Sequence, residues 1–352
     1  MQQEDLILAK LSHARRKPIE VSKGNLVRAA CFQPTASLPL VVQPLVNGID
    51  PAAWATTNRS WIEEKLSLHG GVLFRGFNIT SVELFRGFIG AIAGTEPLAY
   101  SERSSPRMAV GENIYTSTDY PATQSIFLHN ENSYQQSWPM NIFFYCATPA
   151  SEGGETPIAD CRRVYEQLSP NVRQRFIERN WMYVRNFGEG FGLPWQTVFQ
   201  TNDPSVVEEH CRQHDIHAEW RSDNRLRISA IRNAVATHPR TGEPVWFNHA
   251  TFFHVTTLEP SVRDALLADY DGGDLPTNTF YGDGSPIEPE VLEQLREAYR
   301  SETIMFSWQA NDVLLLDNML VAHGRAPYTG ERKVLVGMAH PCGLAGNFDR
   351  RK

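Results

Sequence analysis

His129, Glu131 and the distant His323 are the residues of this chain whose types and spacing best suit metal chemistry. Side chains two apart on an extended backbone point to the same face, so His129 and Glu131 can reach one ion together. His323 follows 323 − 129 = 194 residues later, so only the fold can bring it to them. Two imidazoles and one carboxylate are the ligand set of a non-haem Fe(II) site that keeps open coordination positions.

A possible carboxylate-binding group follows the third histidine. Arg332 comes nine residues after His323, at the start of a predicted strand, where a fixed guanidinium suits bidentate capture of a carboxylate. Lys333 and Arg325 compete for that role, and a surface ion pair worth under about 1 kcal/mol is the structural alternative for Arg332. Thr156 could hydrogen-bond the same carboxylate, or it could be an ordinary turn residue.

Other polar and aromatic residues are candidates for contact with a substrate. Asn130 and Tyr134 flank the predicted metal ligands, and Arg107 could bind either a substrate carboxylate or an acidic neighbour. A further group could line the substrate pocket or belong to a plain aromatic core: Asn248, His249, Phe252 and Phe253.

A second group of histidines, His210, His214 and His217, falls on and beside a predicted helix. Three imidazoles at this spacing could make a second metal site. No supporting motif adjoins them, however, so a solvated helix face is the better interpretation.

Composition narrows the class of protein. The chain has 352 residues, a formal net charge of −7 and 41% hydrophobic residues, which is ordinary for a globular protein. The acidic balance argues against nucleic acid as a partner, because phosphate binding needs clustered Lys and Arg. Neither a signal peptide nor an apolar run of membrane-spanning length is apparent. Five cysteines without CxxC spacing suggest reduced thiols, and we expect a cytoplasmic protein without membrane partners.

The elements that must position these residues are predicted to be strands with helices inserted between them. Short strands separated by turns indicate a β-rich core. Predicted strands cover 71–77, 126–129, 141–146, 182–184, 226–231, 245–247, 303–308, 313–316 and 333–338. Predicted helices cover 58–68, 169–179, 205–215, 260–270 and 289–300, and a capping box at 80–83 opens another that ends near residue 92. We expect one domain over 1–352, with 1–55 as an arm packed on the core.

Six stretches of sequence, taken together, resemble the TauD/TfdA superfamily of Fe(II)/2-oxoglutarate dioxygenases, and within it the SyrP-like subgroup found in natural-product pathways. The resemblance covers most of the chain. The stretches are Gly71-Val-Leu-Phe-Arg-Gly-Phe77, Tyr100-Ser-Glu-Arg-Ser-Ser-Pro-Arg107, Leu128-His-Asn-Glu-Asn-Ser-Tyr134, Gly153-Gly-Glu-Thr-Pro-Ile-Ala-Asp160, His238-Pro-Arg-Thr-Gly242 and Asp317-Asn-Met-Leu-Val-Ala-His-Gly-Arg325.

The resemblance implies an α+β protein, mainly β with inserted and flanking helices around a double-stranded β-helix (jelly-roll) core. It implies that His129, Glu131 and His323 bind Fe(II), and that Thr156 and Arg332 hold the cosubstrate 2-oxoglutarate, with O2 as the oxidant. Many members have Asp where this chain has Glu131, whereas clavaminate-synthase-like and SyrP-like enzymes also use Glu. Val336 stands where the sulfonate-binding pattern has a second arginine, which argues against taurine as the substrate.

The reaction that the resemblance implies is hydroxylation of an unactivated C–H bond. The expected partner is an amino-acid-like small molecule or an aminoacyl group tethered to a carrier protein, and a homo-oligomer is left open. The carboxylate of Glu131 argues against halogenation, in which a small residue replaces it. Two alternatives remain: desaturation or oxidative cyclisation by the same oxidant, and a metal-binding jelly-roll that has lost catalysis.

Overall fold

The structure is a computed structural model that describes residues 26–33, 36–99, 108–118, 120–188 and 192–343. The predicted substrate residue Arg107 therefore lies outside the described residues, as does the stretch 100–107 that contains it. Within the described ranges, no helix is both long and apolar enough to cross a bilayer.

Nineteen strands are described, and most are short. In chain order they are β1 (Val27–Gln33), β2 (Ala36–Pro44), β3 (Gly71–Phe74), β4 (Ala109–Gly111), β5 (Ile114–Thr116), β6 (Ile126–His129), β7 (Ser137–Thr148), β8 (Glu152–Gly153), β9 (Ile158–Asp160), β10 (Trp181–Phe187), β11 (His217–Arg221), β12 (Arg225–Arg232), β13 (Val235–Thr237), β14 (Pro244–Trp246), β15 (Thr277–Tyr281), β16 (Val313–Asp317), β17 (Val321–Arg325), β18 (Tyr328–Thr329) and β19 (Lys333–Gly343).

The described helices flank and interrupt these strands. They are α1 (Pro51–Thr57), α2 (Arg59–His69), α3 (Val82–Ala93), α4 (Cys161–Gln167), α5 (Pro170–Arg179), α6 (Trp195–Phe199), α7 (Pro204–Gln213), α8 (Pro260–Asp269) and α9 (Pro289–Ser301). Many begin with proline in the first turn after an extended cap residue, which is the position where the missing N–H of proline costs nothing.

The largest sheet has eight strands in the order β1-β2-β3-β16-β7-β19-β5-β4. Its central strand, β7, is buried almost throughout, because it is covered on both faces. Alternate side chains of a strand point to opposite faces. Phe143 and Tyr145 accordingly pack into a core shared with α1, α2 and α3, which we call the helix-side core. Met140, Ile142 and Phe144 pack into a second core, which we call the site-side core.

The site-side core is closed by two smaller sheets. One has three strands in the order β6-β17-β9, and the other has four in the order β11-β12-β10-β15. The turn between β16 and β17 carries the chain from the eight-stranded sheet to the three-stranded one, so the candidate ligand His323 lies across the site-side core from β7. This architecture confirms the predicted mainly-β fold with inserted helices.

Most predicted helices and strands are confirmed, and two predictions are wrong in detail. Residues 303–308 form no strand, since Ile304 makes only an isolated bridge with Ile158. Phe306 and Trp308 are buried while Met305 is exposed, so the alternation there reflects burial without a paired strand.

The other correction concerns the start of a helix. The cap of α3 is Ser81, one residue after the predicted Thr80, and its hydroxyl accepts from the N–H of Leu84 at 3.2 Å. The helix α1 begins at Pro51 with Asp50 as its cap, inside the span 1–55 that we predicted as an arm, and the arm itself stays a prediction. The interpretation of 1–352 as a single domain stays a prediction.

A buried ion pair links the end of β3 to the start of β16. The guanidinium of Arg75 donates to both carboxylate oxygens of Asp312, with N···O distances of 2.7 to 3.2 Å. The Asp312 side chain is only 1% exposed and that of Arg75 15%. Removal of one partner would leave a buried charge without compensation. Both residues are therefore needed for β3 and β16 to pack together stably.

We expect Arg75→Met to lower the free energy of unfolding by on the order of 3 kcal/mol, because it leaves the buried Asp312 carboxylate without its ion-pair partner. Urea denaturation at neutral pH measures this. The control is Arg163→Met, which breaks an ion pair with Glu302 whose arginine side chain is 61% exposed, and which should cost less than about 1 kcal/mol. Equal losses in the two variants would contradict the importance of the buried pair.

Candidate metal centre

The two candidate histidine ligands are direct cross-strand partners. His129 ends β6, and the antiparallel register of β6 with β17 places it opposite His323. Opposed residues on antiparallel strands project from the same face, and here the ring centroids are 4.6 Å apart. Glu131 reaches the same point, since the ligand atoms of all three residues lie within 4.8 Å of one another. Two nitrogens and one oxygen at such separations fit a divalent ion of the Fe(II) type.

A glycine allows the strands to approach each other beside this pair. The pairing of β6 and β17 has an irregularity between His323 and Arg325, and Gly324 occupies it. A Cβ atom at position 324 would lie 2.5 Å from the carbonyl oxygen of Ile126, closer than carbon and oxygen can approach. The bulge that aims His323 therefore requires glycine.

Hydrogen bonding selects the tautomer of His129. Its Nδ1 lies 2.9 Å from the carbonyl oxygen of Phe127. A carbonyl only accepts, so Nδ1 carries the proton and Nε2 keeps the lone pair that a metal needs. Aromatic contacts hold both rings, because Phe252 stacks on His129 at 4.4 Å between centroids and Phe144 lies edge-on to His323 at 4.9 Å.

The backbone of Glu131 is held by the side-chain amide of Asn318. The Glu131 N–H donates to Oδ1 of Asn318 at 2.8 Å, and Nδ2 of Asn318 donates to the Glu131 carbonyl at 2.9 Å. The Asn318 carbonyl accepts from Nδ2 of Asn130 at 2.7 Å. The amide of Asn130 is thus bonded to the turn before β17, and the residue is fully buried. These bonds favour a positioning role for Asn130 over the contact with substrate that we expected.

A second buried pair shapes the turn that contains Asn318. Oδ1 of Asp317 accepts from the N–H groups of Met319 and Leu320 at 3.0 and 3.2 Å. Oδ2 lies 3.1 Å from Nε2 of His238, and Nδ1 of that histidine accepts from the N–H of Thr241. The His238 proton therefore sits on Nε2 and is donated to Asp317. Sequence reasoning included both residues in family-like stretches but gave them no role.

One cavity joins the histidine ligands to the predicted carboxylate-binding residues. Its lining comprises Ser117, Thr118, Ile126, His129, Phe144, Thr156, His323, Gly324, Arg325, Arg332, Val334 and Val336. Thr156 is 2% exposed, and its hydroxyl oxygen accepts from the indole N–H of Trp308 at 3.1 Å. An indole N–H only donates, so the threonine keeps its own O–H to donate into the cavity. Trp308 had no predicted role, because nothing local in the sequence links it to Thr156.

Arg332 presents a partly buried positive charge to this cavity. Its Nε donates to the carbonyl of Gly154 at 2.8 Å. Among the described residues, no carboxylate lies within ion-pairing distance of its guanidinium. Burial, followed by the charge of Arg325, lowers the pKa of Arg332 to about 10. The group stays charged at neutral pH, and an anion bound beside it would relieve both effects.

The two competing cations are placed differently. Arg325 donates to the backbone carbonyls of Tyr120 and Gln124 at 2.9 and 2.7 Å, so its guanidinium holds the 120–124 loop although it borders the cavity. Lys333 is exposed at the surface end of β19. The geometry therefore favours Arg332 for the carboxylate, and the assignment stays a prediction.

An aromatic cluster adjoins His129 on the side of Phe252. We define it as Tyr134, His249, Phe252 and Phe253, whose rings contact one another at 4.6 to 5.7 Å. His249 is buried, and burial holds its pKa well below the ordinary value. It is therefore neutral, and its Nδ1 lies 2.6 Å from Oγ of Ser133.

Asn248 shapes the loop that carries this cluster. Its Nδ2 donates to the carbonyl of Ala234 at 2.8 Å, and its Oδ1 accepts from the N–H of Ala250 at 2.9 Å. Asn248 is buried by these contacts, which support the loop, so the substrate contact that we expected of it stays a prediction. Tyr134 lies in the cluster itself, 4% exposed.

The second group of histidines does not converge. His210 and His214 stack at 4.2 Å between ring centroids, and Nδ1 of His214 is bonded to the carbonyl of His210. His217 is exposed on β11. Over the part of the chain that the structure describes, the residues with metal-binding geometry are His129, Glu131 and His323.

Comparisons with known proteins identify the family of this chain. The family model described as "Taurine catabolism dioxygenase TauD, TfdA family" matches residues 35–339. The dapdiamide synthesis protein DdaC of Enterobacter agglomerans is 41% identical over 311 residues, which are 85% of this chain and 94% of that protein. A clavaminate synthase-like protein of Arabidopsis thaliana is 28% identical over 320 residues, which are 87% and 89% of the two chains.

The fold is also found among solved structures. PvcB, described as an Fe, alpha-ketoglutarate dependent oxygenase from an isonitrile synthetic pathway, superposes with a TM-score of 0.54 over 90% of this chain and 93% of its own, at 16% identity. That likeness concerns the fold alone, and it confirms the predicted jelly-roll. With the family model spanning nearly the whole described chain, the protein belongs to the TauD/TfdA family of Fe(II)- and 2-oxoglutarate-dependent dioxygenases.

Proposed function

We propose that this enzyme hydroxylates an unactivated C–H bond of an amino-acid-like substrate, free or bound to a carrier protein, in natural-product biosynthesis. The observation that carries the proposal is the single cavity in which His129 and His323 face Thr156 and Arg332. The relative named for dapdiamide synthesis supports the pathway class. Iron loaded with 2-oxoglutarate and O2 supplies an oxidant strong enough for such bonds, and the protein must orient the substrate and exclude other reactions.

The charges in the cavity suit 2-oxoglutarate. Two neutral imidazoles and the Glu131 carboxylate leave one net positive charge at a divalent ion, which favours a ligand that is itself anionic. At the far end, Arg332 offers a guanidinium and Thr156 an O–H that Trp308 leaves free to donate. A dicarboxylate of matching length would neutralise both ends, and bidentate arginine contacts would fix its orientation.

The cavity wall supports a substrate other than a sulfonate. Val336, where the sulfonate-binding pattern has arginine, is 2% exposed and lines the cavity beside Val334 and Phe144. At this position the wall is apolar and offers no counter-charge to a sulfonate. Taurine is therefore not the substrate that we propose.

The buried network around Asn318 supports the metal ligands mechanically. Asn318 fixes the backbone of Glu131 and lies in the turn that leads into β17, which carries His323. One side chain thereby sets the distance between the carboxylate ligand and the histidine strand. Outer contacts of this kind commonly tune metal affinity.

We expect His129→Ala and His323→Ala to abolish stoichiometric Fe(II) binding and turnover together, because each removes one of three ligands. Anaerobic Fe(II) titration followed by metal analysis of the desalted protein measures binding. His217→Ala, which alters an exposed histidine on β11, should bind one Fe(II) per chain as the unmodified protein does. If either ligand variant retained iron and full activity, that result would contradict the assignment of the metal ligands.

We expect Asn318→Ala to weaken Fe(II) binding by roughly 10- to 100-fold, because the Glu131 backbone loses its anchor. It should also lower the free energy of unfolding by about 1–3 kcal/mol through the polar groups left unbonded. Asn278→Ala is the control, since this buried asparagine instead holds the N–H of Val255. Asn278→Ala should lose stability and keep its Fe(II) affinity. If it loses as much Fe(II) affinity as Asn318→Ala does, Asn318 does not support the metal site specifically.

We expect Arg332→Ala to weaken 2-oxoglutarate at least about tenfold, because loss of a partly buried charge partner costs on the order of 2–5 kcal/mol. The visible charge-transfer band that forms when 2-oxoglutarate is added anaerobically to the Fe(II) protein gives the affinity. Lys333→Ala and Arg325→Ala are the controls, and iron binding should persist in all three. If a control loses affinity and Arg332→Ala does not, the arginine assignment is wrong.

A further inference from the structure

A second arginine with no assigned role lies on the face of β10 that meets the aromatic cluster. Alternation places Tyr183, Arg185 and Phe187 on one face of this strand. Tyr183 shows which way that face points, since its ring lies 5.9 Å from that of Tyr134 and 6.4 Å from that of Phe253. Arg185 is the next residue along the same face, and it is only partly exposed.

Arg185 has a polar and an apolar cross-strand neighbour on this face, and the polar one is Thr277 on β15. Its antiparallel partner on β12 is Ile228, which is buried in the site-side core. Its guanidinium carbon lies 4.9 Å from the centroid of the Phe187 ring. Among the described residues, the Arg185 side chain forms no hydrogen bond or ion pair, so its partly exposed positive charge has no counter-charge there. An anion that met this guanidinium would form charge-assisted hydrogen bonds with it.

The neighbouring arginine on the outer face of the sheet is different. Arg227 pairs with Asn186 in the register, so it points to the opposite side from Arg185. It lies 3.7 Å from Asp274 and donates to the carbonyl of Gly273. Arg227, on the outer face, thus has partners within the protein. Arg185, on the inner face, forms no hydrogen bond or ion pair with the described residues and is available to another partner.

The aromatic cluster connects the strand face of Arg185 to the metal centre, because Tyr183 contacts Phe253 and Phe253 contacts His249. The His249 ring lies 5.9 Å from that of His129. None of the aromatic cluster is among the residues that line the cavity of Arg332. Different residues therefore connect the two arginines to His129. Arg332 lines the same cavity as His129, whereas Arg185 shares a strand face with Tyr183, which contacts the aromatic cluster.

We propose that Arg185 binds an anionic group of the substrate and so determines which part of the substrate faces the iron. The inference rests on the proposed function and narrows it to substrates that carry an anion. That anion is the carboxylate of a free amino-acid-like molecule or the phosphate of a carrier protein's pantetheine arm. The group acts by positioning, because a guanidinium gives bidentate contacts that fix an anion in orientation as well as in place.

The test compares anionic probes with matched neutral probes on the anaerobic Fe(II)–2-oxoglutarate protein. The first arm uses free amino acids and their methyl esters. The second uses aminoacyl thioesters of phosphopantetheine and of unphosphorylated pantetheine. Dissociation constants come from ligand-dependent shifts in thermal unfolding, and substrate-dependent succinate formation is measured in air. The variants are Arg185→Gln, Arg185→Lys and the outer-face control Arg227→Gln.

We expect at least one anionic probe to bind more tightly than its neutral counterpart, and Arg185→Gln to weaken that probe at least about tenfold. Arg185→Lys should restore part of the loss, while neutral probes and Arg227→Gln should not change. Preference in the first arm identifies a carboxylate, and preference in the second a phosphate. A purely structural role for Arg185 would weaken charged and neutral probes alike, and that result overturns the proposal.

The proposal is also overturned if the unmodified protein never prefers an anionic probe, or if Arg227→Gln loses as much affinity as Arg185→Gln. The charge-transfer band of 2-oxoglutarate separates these results from failure of the proposed function. If the band forms in the unmodified protein and in Arg185→Gln, the cosubstrate site stands whatever the probes show. If the unmodified protein gives no band, the proposed function itself fails.

Discussion

The pairing of β6 with β17 is the constraint on which the rest of the centre depends. Histidines 194 positions apart meet because they are opposed in one antiparallel register, His129 to His323. A slip of one residue would turn one imidazole to the other face of the sheet. The bulge at Gly324, the Asp317 turn and the amide of Asn318 all act on this register, since they fix where β17 begins, how it bends and how far it lies from Glu131.

This arrangement places buried polar groups where an apolar core would be simpler. His238, Asp317, Asn318 and Asn130 are all fully buried. Each has hydrogen-bond partners, so the desolvation cost is offset, and the network specifies one geometry in a way that interchangeable apolar contacts do not. The apolar residues nearby complement this network, because Phe252 and Phe144 hold the two imidazole rings in place from either side.

Local patterns in the sequence predicted the structural features that depend on residues close together in the chain. The spacing of His129 and Glu131, the proline-led helices and the apolar strands 313–316 and 333–338 are all local signals, and the structure contains each of them. The larger failures are non-local. Residues 303–308 have strand-like alternation but form only one bridge, from Ile304 to Ile158 of β9, and the support of Thr156 by Trp308 joins residues far apart in the chain. Asn318 stands in a family-like stretch, yet its hydrogen bonds to Glu131 depend on a turn that only the assembled sheets create. Likewise, only the folded structure reveals that Arg185 forms no ion pair with the residues that are described.

The central strand β7 separates two sets of side chains, and this has a consequence for how such an enzyme can diversify. Met140, Ile142 and Phe144 shape the site-side core, whereas Phe143 and Tyr145 meet only the helix-side core. Selection for a new substrate can therefore act on every second position of one strand while the intervening positions keep the scaffold unchanged. Positions that maintain stability alternate with positions that shape the pocket along the same twelve residues. Closely related chains can therefore keep a common scaffold while their pockets diverge.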